Sequence, residues 1–217
     1  MRICSLVSGL VFGAFALAGS AVAGEDAAPV ALPKPVETFA ADLMDALRGR
    51  QSTREFADKD VDLQTLANLL WAADGVNRPD IKKRTAPFAT GINPVNVYVL
   101  KADGSFRYDV DAHALVPVGT RDLRPIIGMQ PFVASAPVVF LFAYDSTKGN
   151  PKSDDRQNEI WAWNGLGAIQ QNLSLACAAQ KMGGVVVASV KKDVAKAELN
   201  LAETETALTI QPVGFLK

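Results

Sequence analysis

Two guanidiniums and two hydroxyls lie within five positions of this chain, in the stretch Arg-Gln-Ser-Thr-Arg-Glu-Phe at residues 50–56. Arginine suits phosphate because its planar fork presents donors in a fixed geometry, and a serine or threonine hydroxyl can add a further hydrogen bond. The pattern therefore indicates an anion-binding site. A second interpretation stays open, in which the arginines end a helix and satisfy its last carbonyls.

Other chemistries have no comparable pattern in the sequence. His113 is the only histidine and Cys177 lies in an apolar stretch that favours an inert thiol, so the usual ligand set of a zinc site is missing. There is no Gly-x-Ser-x-Gly elbow of a hydrolase, no Walker sequence and no Gly-x-Gly-x-x-Gly after a predicted strand. The sequence patterns thus indicate no catalytic residue and no metal ligand.

The composition narrows the class of protein. With 217 residues, the chain is long enough for one ordinary domain with a substantial core, which we expect over residues 36–217. The formal net charge is -1 and the pI is about 5.9, so the charge gives no indication of nucleic-acid binding. Any anion-binding site must therefore come from a local cluster of basic residues and not from the overall charge of the chain.

The first 23 residues have the pattern of a secretory signal peptide. Arg2 supplies the positive start, residues 6–17 form an apolar run, and Ala-Val-Ala at 21–23 is a small-residue cleavage site. The run is short for a transmembrane span. We therefore expect cleavage after residue 23 and export to the periplasm or the exterior, with the proline-rich residues 24–35 as a linker.

The elements that must position the arginine cluster follow from apolar periodicity and from turn residues. Their order indicates an α+β domain with a mostly antiparallel or mixed sheet flanked by helices. Helices are predicted over 36–49, 62–74, 157–181 and 193–201, strands over 95–101, 106–110, 138–143, 184–190 and 207–213, and a long loop over 76–94.

The helix predicted over 157–181 is the longest and is apolar nearly all round. Such a helix is buried, either in a large core or in a subunit interface. Gly165, Gly167 and Ala168 lie within it, and small residues at this density suggest the close approach of another helix or of a ligand.

Six stretches in order resemble one family, the nitroreductase-like FMN flavoproteins, over nearly all of residues 36–217. Residues 50–56 resemble its Arg-x-Ser-x-Arg-x-Phe signature, and 84–91 look like the Arg-Thr-x-Pro-Ser-x-Gly loop of the subgroup that includes the azoline (thiazoline/oxazoline) dehydrogenases. Residues 95–99 continue this second stretch as the strand after the loop. The other four stretches are Tyr108 with 113–115 as a hairpin, 136–139 as an Ala-Pro-Val-Val strand, 167–173 as the central helix, and 212–215 as the closing Pro-Val-Gly.

The resemblance implies a role for the arginine cluster. Arg50, Gln51, Ser52 and Arg54 align with the contacts of the family to the phosphate and the ribityl chain of FMN. This agrees with the independent expectation of an anion-binding site, since a dianionic phosphate favours paired guanidiniums.

Two further segments align with contacts to the flavin ring. Pro87, Phe88 and Ala89 align with the loop beside the isoalloxazine ring, although Phe88 stands where a small serine is usual. Val187, Ala188 and Ser189 align with a segment whose backbone approaches the reactive edge, where a glycine is common in place of Ala188. A backbone N–H there could tune flavin N5. The alternative for this segment is a plain core strand.

The function that the resemblance implies is an exported, homodimeric FMN oxidoreductase with the flavin at the subunit interface. It would transfer hydride in ping-pong fashion through flavin N5, to a nitroaromatic, quinone or azoline-like acceptor, and outside the cell its donor need not be a nicotinamide. The alternative is a non-catalytic protein on the same scaffold, flavin-binding or flavin-free, with Phe88 and Ala188 as signs of lost chemistry.

Overall fold

The computed structural model describes residues 27–217, so the signal peptide predicted over 1–23 lies outside the described residues. These residues form seven strands of one sheet: β1 (Val30–Ala31), β4 (Val95–Lys101), β5 (Gly104–Asp109), β6 (Ala114–Gly119), β7 (Val138–Asp145), β8 (Met182–Gly184) and β9 (Glu205–Phe215). Their order across the sheet is β1-β6-β5-β4-β7-β9-β8, and every neighbouring pair is antiparallel.

The helices of the described part flank this sheet. They are α1 (Leu43–Gly49), α2 (Leu63–Asp74), α3 (Arg124–Ile127), α4 (Phe132–Ser135), α5 (Asp155–Ala179) and α6 (Lys192–Glu198). The predicted bounds of α2 hold because Asp62 caps the helix, accepting a hydrogen bond from the N–H of Thr65 at 2.8 Å, and Gly75 follows its last residue. The longest predicted helix is present as α5.

The core lies on both faces of the sheet, and the central strand β7 separates its two halves. Val138, Phe140 and Phe142 point to one half, which contains the buried sides of α2 and α5. Val139 and Leu141 point to the other half, with buried residues of α3, α4 and α6. The strand predicted over 138–143 is thus present as β7, and its continuous apolar run is buried on both faces. The predicted fold class, α+β with a long central helix, is confirmed.

The first predicted helix is wrong over its first half. Helix α1 begins only at Leu43, because the carboxylate of Asp42 accepts a hydrogen bond from the N–H of Asp45 at 2.8 Å and so caps the helix there. Before it the chain is irregular, with bends at Glu37, Ala40 and Ala41, and the N–H of Val36 donates to the side chain of Asn68 at 3.0 Å.

Part of the segment predicted as a linker is joined to the sheet. Val30 and Ala31 pair with β6, and the N–H of Leu32 donates to the carbonyl of His113 at 3.0 Å. The side chain of Leu32 is buried in the core. Residues 30–32 therefore belong to the fold and not to a free linker, because pairing with β6 satisfies their backbone.

The strand predicted over 184–190 is also wrong beyond Gly184. After β8, the chain makes only isolated bridges, from Val187 to Ile210 and from Val190 to Gly128.

The loop predicted over 76–94 is confirmed in the main, but it contains a small separate sheet of β2 (Val76–Arg78) and β3 (Lys83–Arg84). No helix within residues 27–217 has the length and hydropathy that a membrane crossing requires.

Candidate functional site

The arginine cluster lies where α1 ends and the chain meets the edge of the sheet at β8. Arg50 caps α1, with its N–H donating to the carbonyl of Ala46 at 2.9 Å. Ser52 forms a parallel bridge with Gly184, and the N–H of Thr53 donates to the carbonyl of Gly184 at 3.1 Å. The cluster is therefore fixed to the sheet through its backbone.

A glycine makes this close approach possible. A β-carbon on Gly183 would lie 2.3 Å from Oγ1 of Thr53, which no side chain could tolerate without movement. That hydroxyl oxygen is buried and has no hydrogen-bond partner in the part of the chain that the structure describes. Such a buried orphan is uncommon in native proteins, so a bound group that satisfies it would be favoured.

The guanidiniums of the cluster are available for a ligand. Arg50 and Arg54 are exposed, and neither forms an ion pair or a side-chain hydrogen bond with any residue of 27–217. The guanidinium of Arg54 lies over the ring of Phe132, with its central carbon 5.9 Å from the ring centroid. In the second interpretation the arginines satisfy carbonyls of their own helix; the backbone N–H of Arg50 does so, but the guanidiniums of Arg50 and Arg54 make no such hydrogen bond within residues 27–217.

A third cation reaches the same segment from the end of the chain. The ammonium of Lys217 lies 3.3 Å from a carboxylate oxygen of Glu55, and both side chains are largely exposed. An exposed pair of this kind contributes little to stability. Its consequence is local, because it neutralises the one acid within residues 50–56.

The segment 187–189 lies on the same side of the fold as the cluster. Val187 is buried and bonded through its N–H to Ile210 at 2.8 Å, while Ala188 is exposed. The hydroxyl of Ser189 accepts a hydrogen bond from the side-chain amide of Gln130 at 2.5 Å. Gln130 lies two residues before Phe132, and the guanidinium of Arg54 lies over the ring of Phe132. The short segment 130–132 therefore contacts both the arginine cluster and the 187–189 segment.

The third predicted group lies elsewhere in the protomer. Phe88 packs against Gly165 of α5, and Pro87 and Phe88 line a cavity together with residues of β2 and β3. Of the residues the structure describes, none of 50–54 or 187–189 lines that cavity. A single protomer therefore brings the arginine cluster and the 187–189 segment together but leaves residues 87–89 apart.

The comparisons with known proteins identify the family. The family model described as the Nitroreductase family matches residues 47–215, from the end of α1 to the end of β9. The chain belongs to the nitroreductase family. Membership of this family places it among the oxidoreductases, and the match includes all ten predicted site residues.

Individual relatives agree with the nitroreductase family. A protein of Methanocaldococcus jannaschii assigned as a nitroreductase, MJ1384, is 26% identical over 182 residues, which are 79% of this chain and 90% of that protein. The crystal structure of a protein of Ralstonia eutropha JMP134 assigned as a nitroreductase is 33% identical, with a TM-score of 0.82, covering 87% of this chain and 90% of the other.

A third similarity bears on the predicted subgroup. The Escherichia coli microcin synthetase complex McbBCD, solved with truncated pro-MccB17 bound, contains a chain with a TM-score of 0.66 at 17% identity, covering 89% of this chain and 79% of that one. At this identity the likeness shows the nitroreductase fold alone. The closer resemblance to azoline dehydrogenases stays a prediction.

Two functional candidates on this nitroreductase scaffold are absent from the sequence-based prediction. Gln130 supports Ser189, and the amide oxygen of Gln130 is buried without a hydrogen-bond partner in residues 27–217. Phe132 lies beneath Arg54. Both belong to the connection between β6 and β7, which has no periodicity or motif that relates it to residues 50–56, so no sequence signal marked them.

Arg84 has a structural role within the loop 76–94. Its guanidinium donates to the carboxylate of Asp74 at 2.6 Å, and Asn93 donates to the same carboxylate at 2.8 Å. Asp74 is fully buried, and this burial raises the pKa of Asp74 to about 7, although the hydrogen bonds and charge of Arg84 act against the rise. The pair fixes the loop to the end of α2.

The histidine and the cysteine also have structural surroundings. The Nδ1 atom of His113 lies 2.8 Å from the hydroxyl of Tyr108, and its Nε2 atom lies 3.0 Å from the carbonyl of Pro33. This geometry fits a neutral ring that donates from Nε2, and burial lowers the pKa of His113. Cys177 is buried in the core, where burial raises the pKa of its thiol. Residues 27–217 contain no cluster of potential metal ligands.

Proposed function

We propose that the protein is an FMN-dependent oxidoreductase of the nitroreductase family. The observation that carries the proposal is the pair of exposed guanidiniums of Arg50 and Arg54 at the edge of β8, without a carboxylate partner among the described residues. A pair of free guanidiniums suits a phosphate dianion, which is the charged end of FMN.

The residues present fit this cofactor. Arg50 and Arg54 would hold the phosphate, with Gln51 and Ser52 beside the ribityl chain. The buried oxygen of Thr53, which lacks a partner in residues 27–217, is a polar atom that a bound ligand could satisfy. The exposed residue Ala188 would face the ring system, and the next residue, Ser189, is held in place by the hydrogen bond from Gln130.

FMN, when bound, supplies hydride transfer, so the chain itself needs no acid–base pair. What the chain contributes is binding, orientation and local charge. The Gln130 amide donates to Ser189, which leaves the hydroxyl proton of Ser189 free to donate to another acceptor. The acceptor substrate is proposed as a small oxidised molecule of the nitroaromatic, quinone or azoline-like type.

We infer that the complete site needs a second protomer. Residues 87–89 lie apart from the arginine cluster within one protomer, and a dimer could bring them to the site of its partner. Large apolar side chains are exposed on both α1 and α5, as a subunit interface requires. They are Leu43, Met44 and Leu47 of α1 and Ile160 and Trp163 of α5.

We also propose that the protein is exported, as the signal pattern of residues 1–23 suggests. An exported flavoprotein would acquire FMN after crossing the membrane, in surroundings where nicotinamide donors are scarce. Its donor is then proposed to be another small reductant.

The test is an absorbance spectrum of the purified protein with and without added FMN. A flavin spectrum that remains after gel filtration, is bleached anaerobically by a reductant and recovers with a quinone or a nitroaromatic is the expected result. A protein that stays colourless after incubation with FMN would instead identify it as a flavin-free interaction protein on the nitroreductase scaffold. Bound flavin that no acceptor reoxidises would identify a non-catalytic flavin-binding protein.

A further inference from the structure

A second concentration of positive charge lies in the loop between α2 and β4, away from the arginine cluster. Residues 78–84 contain four cations and a single acid, although the whole chain has a formal net charge of -1. All four cationic side chains line one cavity of about 340 Å³, and they are Arg78, Lys82, Lys83 and Arg84.

Only one of these charges is neutralised within the described residues. Arg84 pairs with the buried carboxylate of Asp74 at 2.6 Å. Arg78, Lys82 and Lys83 form no ion pair with any residue of 27–217, and the acid of this segment, Asp80, does not line the cavity. The cavity therefore has three cations without a carboxylate partner among the residues that surround it.

The backbone holds these charges together at an energetic cost. Arg78 lies directly opposite Lys83 in the small sheet of β2 and β3, and like charges in such a pair are destabilising. Lys82 has a φ of 50°, in the left-handed region that a lysine rarely adopts. A bound anion would offset the repulsion between these side chains.

One glycine leaves room for a cation at the cavity. A β-carbon on Gly91 would lie 2.3 Å from the ammonium nitrogen of Lys83, and Gly91 itself has a φ of 72°. The left-handed conformation and the absence of a side chain at Gly91 together allow Lys83 to lie across the loop. Lys83 is exposed, so its ammonium remains accessible to a ligand at this position.

We propose that this cavity binds a small anion with two or more negative charges, and that the anion is a phosphate- or carboxylate-bearing substrate of the enzyme. The assignment of the anion as a substrate rests on the proposed function. It follows because Pro87 and Phe88 line the same cavity, and the family resemblance places these residues beside the flavin ring. The cavity would then hold the charged end of a substrate next to the cofactor.

The experiment is calorimetric titration of the purified protein at low ionic strength, with inorganic pyrophosphate and, separately, with citrate. We expect at least one probe to bind, and its affinity to fall about tenfold or more in Lys82→Gln/Lys83→Gln, because charged hydrogen bonds are lost. Tighter pyrophosphate binding indicates a phosphate-bearing substrate and tighter citrate binding a carboxylate-bearing one. Added salt should weaken the binding.

Two controls locate the site. Lys152→Gln/Lys192→Gln removes two exposed lysines outside the cavity and should leave probe binding unchanged. Arg50→Ala/Arg54→Ala should remove any probe binding at the arginine cluster and leave the binding at the cavity, which separates the two sites. Arg78→Gln provides a second disruption if the double lysine variant fails to fold, as judged by circular dichroism.

The proposal is overturned if neither probe binds, or if binding is the same in the lysine variant and the wild type. Its failure is distinguishable from that of the proposed function. Probe binding without FMN binding would leave the anion site and remove its role as a substrate site. FMN binding and turnover without probe binding would leave the oxidoreductase and remove the anion site.

Discussion

The ring of Phe88 fills the space that a β-carbon on Gly165 would need, since that carbon would lie 2.1 Å from Cε1 of the ring. A loop residue and a helix residue 77 positions apart in the chain are thus fitted to each other. The contact requires a glycine at this position of α5, although glycine lowers helix stability. It also shows that the ring of Phe88 is held against α5 by the fold of its own protomer.

This contact predicts a strong coupling between the two positions. Gly165→Ala should lower the free energy of unfolding by about 1–3 kcal/mol, because the added methyl group meets a packed ring. In a Phe88→Ser background the same substitution should be neutral or stabilising, by up to about 1 kcal/mol from helix propensity. Chemical denaturation of the four proteins in a double-mutant cycle measures the coupling.

A matched control for this cycle lies two residues further along α5. A β-carbon on Gly167 would meet no atom within 4 Å, so Gly167→Ala should be neutral or stabilising in both backgrounds. Equal effects of Gly165→Ala with and without Phe88 would contradict the packing of this ring on α5.

The arginine cluster predicts a loss of cofactor affinity. Arg50→Ala/Arg54→Ala should weaken FMN binding by about 100-fold or more, because two charge-assisted hydrogen bonds to the phosphate are removed. Fluorescence quenching of free FMN on titration with protein measures the dissociation constant. Arg48→Ala is the control, since Arg48 is exposed in the last turn of α1 and pairs with Asp45 at 3.2 Å.

In that experiment the affinity for riboflavin, which lacks the phosphate, should change little between wild type and the double variant. An FMN affinity that is unchanged in the double variant, or reduced equally in Arg48→Ala, would contradict the assignment of Arg50 and Arg54 as the residues that bind the FMN phosphate.

The exposed apolar residues of α1 and α5 predict a dimer. Trp163→Glu should shift the protein from dimer to monomer in sedimentation velocity, because a charge in an apolar interface loses its hydration without a partner. Leu63→Glu is the control, as Leu63 is similarly exposed, at 42% against 43% for Trp163, but lies at the start of α2. A wild-type protein that is monomeric at micromolar concentration would rule out this interface.

Asp74 predicts a pH dependence of stability. Its pKa is about 7 in the folded protein and ordinarily 3.8, so the folded state retains this proton over a range in which the unfolded chain has lost it. The contribution of Asp74 to the free energy of unfolding is therefore highest at acid pH, and it falls as the pH rises from about 4 to about 7.

The test compares Asp74→Asn with the wild type. Asparagine retains an acceptor for Arg84 but does not titrate, so the variant should lose less stability between pH 5 and pH 8, by about 2 kcal/mol. Urea denaturation at both pH values gives the difference. Asp58→Asn, at an exposed position, is the control, and parallel pH profiles for wild type and Asp74→Asn would contradict the assignment.

The parts of the fold that the sequence predicts correctly are those with local causes. Asp62 and Gly75 bound α2 because a helix cap needs only residues a few positions away. The apolar run of β7 predicts burial on both faces because an uninterrupted run leaves no polar side for solvent. The arginine cluster is similar, since two guanidiniums and two hydroxyls in five residues are an anion-binding pattern before any fold is known.

The errors arise where distant partners override local patterns. The apolar periodicity of 36–49 begins before the first residue of α1, where the N–H of Val36 donates instead to Asn68, 32 positions away. The apolar run after β8 leaves the sheet at Gly184, and the N–H of Val187 donates to Ile210. Residues 30–32 look like a linker until β6 offers them a partner. In each case the backbone hydrogen bonds go to residues that no local pattern identifies.

By itself, then, the sequence determined the family, the main elements and the residue types that could hold a phosphate. Only the tertiary structure decided which candidates meet: it joins Arg54 to Ser189 through Phe132 and Gln130, keeps Phe88 on α5, and gathers four cations around a separate cavity. The physical reason is the separation along the chain over which each kind of interaction acts. Caps, turns and periodicity act over a few residues, whereas the neighbours of a side chain are set by strand order and by packing across the whole domain.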